Sequence, residues 1–111
     1  MFDNKNFGNK PTIQHFISAN CDMVRVPYEI TEISPGIYSW RELLMKYRNF
    51  NYGGLVSALI GLQYSDSQMT AIINNYLLDP ENEDSKKEFL EMQEYRKYAK
   101  ETARNILEEN K

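Results

Sequence analysis

Hydrophobic and polar positions alternate most clearly over "MVRVPYEITEI", residues 23–33. Val24, Val26, Tyr28 and Ile30 fall on one side, and Met23, Arg25, Pro27, Glu29 and Thr31 on the other. A period of two with one apolar face predicts a half-buried strand. Pro27 offers no backbone donor, so the strand is expected at an edge, broken, or extended as an arm. "SPGIYS" follows, with Pro35-Gly36 in the order of a type II turn, so a short hairpin closing on "IYSW" is one reading.

From Ser39 onward the period changes. "SWRE" matches a capping box, in which Ser39 caps the first turn and Glu42 returns the bond. With Leu43, Leu44 and Tyr47 behind it, this predicts a helix running to Phe50 and ended by "NYGG". "LVSALIGLQ" is apolar nearly all round, the mark of a core helix. Ser65 and Gln68 form a second capping box. Residues 66–78 then carry Met69, Ile72, Ile73, Tyr76 and Leu77 at helical spacing. Asp79-Pro80 ends that helix and is expected to open the next, with Asp as cap and Pro in its first turn. The last segment, 84–109, repeats Phe89, Met92, Tyr95, Ala99, Ala103 and Ile106 at intervals of three and four, as a long amphipathic helix does. The first 22 residues show no firm pattern. "MFDNKNFGNKP" has little to bury and reads as a mobile arm, and "TIQHFISA" fits a short strand or a helical turn equally.

The expected organisation is an N-terminal arm (1–22), an extended segment or short hairpin (23–38) and a helical domain (39–111). The expected fold class is mainly α: a small domain of about four helices with a long C-terminal amphipathic helix, preceded by an extended arm or short β-hairpin.

Composition adds limits. The 111 residues are 41% hydrophobic and 26% charged, ordinary globular usage that argues against wholesale disorder. Net charge is −3. Acids and bases balance over residues 1–78, so the excess lies in the C-terminal segment, and no basic block stands out. Nucleic-acid binding normally needs such a block, so it is not the expected partner class. One cysteine, Cys21, permits no internal disulfide and points to a reducing compartment. No apolar run approaches the roughly 18–20 residues of a membrane span, and the N-terminus lacks a signal-peptide core. A cytoplasmic chain without membrane attachment is expected.

Candidate chemistry is sparse. His15 and Cys21 are the only nucleophile–base candidates and stand in no recognisable motif. One His and one Cys make no zinc site. "DPENEDSKKE" lacks the central Gly and the alternation of a calcium loop. No Lys-Ser/Thr follows Gly53-Gly54, so there is no phosphate cradle. No catalytic residue, cofactor or metal is expected. "YSDSQMTAIINNYLLDPENE" has helix-turn-helix punctuation, and a DNA-reading helix there would present Ser67, Gln68, Ala71, Asn74 and Asn75. That helix holds no Lys or Arg and opens on Asp66, which favours two packed helices instead.

Residues 64–104 carry Tyr64, Ser65, Ala71, Asn75, Tyr76, Leu77, Phe89, Tyr95, Arg96, Lys100 and Ala103. In this layout the stretch resembles small uncharacterised proteins encoded by phages and prophages of gut bacteria. The resemblance implies a virion or assembly component and brings no activity with it. The expected function is a non-enzymatic protein-interaction or structural component, with a helix-turn-helix-like DNA-binding regulator as the alternative. The partner is expected to be another protein or a second copy, met through the extended segment (Val24, Val26, Tyr28, Ile30) or the long helix (Tyr95, Arg96, Tyr98).

Overall fold

The computed structural model describes residues 5–109. Four strands come first: β1 (Asn6–Gly8), β2 (Gln14–Ser18), β3 (Cys21–Ser34) and β4 (Ile37–Lys46). A 3₁₀ turn at Tyr47–Asn49 leads into three helices: α1 (Tyr52–Gly61), α2 (Asp66–Leu78) and α3 (Glu83–Glu109). The strands form one curled antiparallel sheet in the order β1-β4-β3-β2. The architecture is therefore mixed α and β, which corrects the expectation of a mainly helical domain of about four helices.

The correction turns on residues 37–46. Their expected helix is a strand, because its inward positions match those of β3 one for one. Met45 pairs with Val24, Leu43 with Val26 and Arg41 with Tyr28. Ser39 is not a helix cap; it lies 7% exposed between Thr31 of β3 and Phe7 of β1. Pairing with β3 and burying the shared apolar face against α1 and α3 outweighs one local capping box. The polar and larger alternates Trp40, Glu42 and Lys46 point the other way.

Two tight turns set the registers. Ala19 and Asn20 have φ of 51° and 64°, so a two-residue type I′ turn joins β2 to β3. Gly36, at φ 78°, supplies the left-handed residue that the expected type II turn requires between β3 and β4. Pro27 is accommodated inside β3 because β2 ends its pairing at Gln14↔Arg25. Backbone groups of alternate residues point to the same side, so the donor missing at Pro27 lies just beyond the last β2 partner.

β3 gains one residue on β4 between Tyr28 and Thr31, and another between Glu32 and Ser34. At the first of these bulges Glu29 has φ 52°. Bulges bend the strand and increase its twist, and here they curl the sheet around the helices.

Val24, Val26, Leu43 and Met45 meet Leu55 and Leu59 of α1 and Ala99, Ala103 and Ile106 of α3 in one core. "NYGG", expected to end a helix, begins one: the Asn51 side chain accepts from Gly54 N at 2.8 Å and caps α1. Ser65 and Gln68 form the expected capping box of α2. α3 is capped by Asn82, which accepts from Ser85 N at 3.0 Å, while Asp79 terminates α2. The Cα radius of gyration is 16.7 Å, against about 13 Å for a compact chain of this size. α2 packs on α3 and has no buried residue of its own.

Candidate functional site

The bulge in β3 turns Glu29 out of the strand's regular alternation and aims its carboxylate at α3. One oxygen lies 3.0 Å from Nε of Arg41, and the other accepts the phenolic hydrogen of Tyr98. Arg41 also donates to the phenol of Tyr28. Tyr95, one helical turn before Tyr98, donates to the Leu59 carbonyl at 2.6 Å and so ties α3 to the end of α1. Its ring stands edge-on to Tyr64 at 5.7 Å and tilted against Tyr98 at 5.6 Å. Burial pushes the phenols of Tyr28, Tyr95 and Tyr98 above the ordinary tyrosine value, and the Glu29 carboxylate raises Tyr98 further.

Beside this cluster a cavity of about 330 Å³ opens between β3 and α3. Tyr28, Ile30, Tyr98, Thr102 and Asn105 are among the residues that line it, as are Glu29, Glu101 and Glu109. Both Glu29 oxygens are already bonded within the fold. Its carboxylate therefore serves as a fastening between sheet and helix.

Of the residues expected to meet a partner, Tyr28, Ile30 and Tyr98 line this cavity, and Tyr95 adjoins it. Val24 and Val26 are core residues in an interior strand, closed to any partner of the folded chain. Arg96 is half-buried on another side of α3. Glu29 and Arg41 hold the cluster together yet give no signal in the sequence, since the bulge that unites them breaks the alternation.

His15 and Cys21 do not form a pair. Two-residue periodicity puts His15 with Val24 on the inner face and Cys21 with Met23 on the outer one. The His15 ring stacks on Tyr47 at 4.1 Å, and its Nε2 lies 3.6 Å from Asp22. Among the described residues, no three His, Cys, Asp or Glu side chains converge to hold a metal ion. No helix among them is long and apolar enough to cross a membrane.

An exposed apolar surface lies on the α2–α3 hairpin. Tyr76 stacks on Phe89 at 4.3 Å and anchors one helix to the other. Leu77 and Leu78 remain 67% and 84% exposed, and Leu90 on α3 is exposed too. Asp66 is the only charged residue in α2. Gln68, Ala71 and Asn75 line a groove of about 430 Å³ that also contains Glu88. α1 and α2 each pack on α3 and make little contact with one another.

Comparison of the chain with protein-family models, with curated proteins and with solved structures finds no match.

Proposed function

We propose that this protein is a non-enzymatic interaction component that binds another protein through the α2–α3 hairpin. One observation carries the reading: α2 is a regular thirteen-residue helix with no buried residue, and its end exposes two adjacent leucines. A helix of that length is marginal on its own in water, and here one neighbour supports it. Depletion of charge and projection of leucine are what a protein partner's apolar face would meet. The hairpin coincides with the stretch that resembles phage-encoded proteins, and we place the function among phage assembly or virion components on that basis. A DNA-reading role for α2 is disfavoured by the carboxylate in its groove and by its lack of Lys and Arg.

The test is affinity capture with the tagged protein from host lysate, with and without nuclease, beside a Leu77→Lys/Leu78→Lys variant. The expected result is a nuclease-resistant protein partner that the variant loses while keeping the wild-type melting curve. Equal capture by both proteins would remove the hairpin from consideration. Loss of the captured material on nuclease treatment would move the reading to nucleic acid.

A further inference from the structure

β2 is an edge strand without the usual protection. Natural edges are blunted by Lys, Pro, a bulge or a covering segment. "QHFIS" contains none of these residues, its pairing with β3 runs without a register shift, and no other described strand pairs with its outer side. Lys10 and Pro11 both precede the strand.

The turn fixes which backbone groups that edge offers. A two-residue loop closes on a hydrogen-bonded pair, here Ser18 and Cys21. Alternation then points the N–H and C=O of Ser18, Phe16 and Gln14 toward β3, and those of Ile17 and His15 outward. The same outward positions carry the side chains of interest. Ile17 is 73% exposed, and His15 is stacked on the half-exposed ring of Tyr47.

We propose that this edge pairs antiparallel with β2 of a second copy, about a twofold axis at Phe16. That axis sets His15 opposite Ile17 of the second copy, and Ile17 opposite its His15. All four outward donors and all four outward acceptors are then used, two of each from each chain. Ile17 of each copy lies against the imidazole–phenol stack of the other. Residues 13–18 hold no Asp, Glu, Lys or Arg, so the strand meets its own copy without like-charge repulsion. The two sheets join into one of eight strands. This surface is separate from the α2–α3 hairpin, and the pairing stands or falls independently of that binding site.

The experiment combines sedimentation equilibrium with residue-resolved amide exchange on the full chain. The expected result is a concentration-dependent dimer in which the Ile17 and His15 amides gain protection as the dimer forms. The amides of Phe16 and Ser18, bonded to β3, stay protected at every concentration. Ile17→Pro removes one outward donor and none of the bonds to β3, and should weaken the dimer at least tenfold. Ile17→Lys keeps the backbone donor and sets two cations near the axis, with the same expected effect if the proline variant misfolds. A monomer at all concentrations with rapid exchange at Ile17 and His15 would overturn the proposal. So would a dimer unchanged by Ile17→Lys, or one broken instead by the Leu77→Lys/Leu78→Lys change.

Discussion

The phenol of Tyr98 on α3 donates to the carboxylate of Glu29, a residue held at φ 52° in the β3 bulge. A left-handed conformation costs a non-glycine residue about 1 kcal/mol or more. The two bonds made by the carboxylate offset that cost. Glu29→Ala keeps the strain and loses both bonds, so it should destabilise by roughly 1–2 kcal/mol, a modest figure because the group is partly exposed. Glu29→Gly loses the bonds but relieves the strain, and should lie about 1 kcal/mol above the alanine variant. Urea denaturation of the two proteins makes the comparison.

Raised phenol values make stability fall at high pH. Tyr28, Tyr95 and Tyr98 ionise less readily in the folded chain than at the ordinary value of 10.0. The stability they hold is complete below that pH and is lost as pH rises through their folded values. Absorbance titration should therefore show a group of tyrosines ionising late, together with unfolding. Tyr98→Phe should remove one of these and flatten the alkaline fall in melting temperature.

Gly53 and Gly54 sit side by side at the start of α1 with opposite tolerance. A Cβ on Gly54 would stand 1.7 Å from the Asn49 carbonyl oxygen, whereas one on Gly53 meets nothing closer than 3.6 Å. Gly54→Ala must displace the turn before the helix and should cost about 2 kcal/mol or more. Gly53→Ala should be neutral or stabilise by up to about 1 kcal/mol through helix propensity. Thermal melts of the two variants would decide it.

Tyr76 is half-buried and stacked on Phe89, so its removal falls short of a core truncation. Tyr76→Ala should cost about 1–2 kcal/mol, and Tyr76→Phe much less, because the ring makes the contact. A double-mutant cycle with Phe89→Ala should return most of that loss as coupling.

The α2 and α3 stripes are legible in sequence because each helix keeps its apolar residues at helical spacing, α2 toward α3 and α3 toward α1, α2 and the sheet. β3 and the Pro35-Gly36 turn are legible for the equivalent reason in strands. β4 was hidden by a conflict between levels: Ser39 and Glu42 form a plausible cap, while Leu43 and Met45 obey the strand period, and only pairing with β3 decides. β2 has no buried residue and hence no alternation to read. The clustering of Tyr28, Ile30 and Tyr98 follows from apolar faces visible in the sequence. The part played by Glu29 and Arg41 does not, because the extra residue in β3 between Tyr28 and Thr31 breaks the alternation at Glu29.

The order of the core along the chain has a consequence for biosynthesis. Val24, Val26, Leu43 and Met45 leave the ribosome well before Ala99, Ala103 and Ile106, which complete their cover. Until α3 emerges, a nascent sheet would show translation-associated factors an apolar inner face closed only in part by α1. Closure of the sheet is thus expected to wait for α3, with holdase engagement concentrated on residues 24–45 until then.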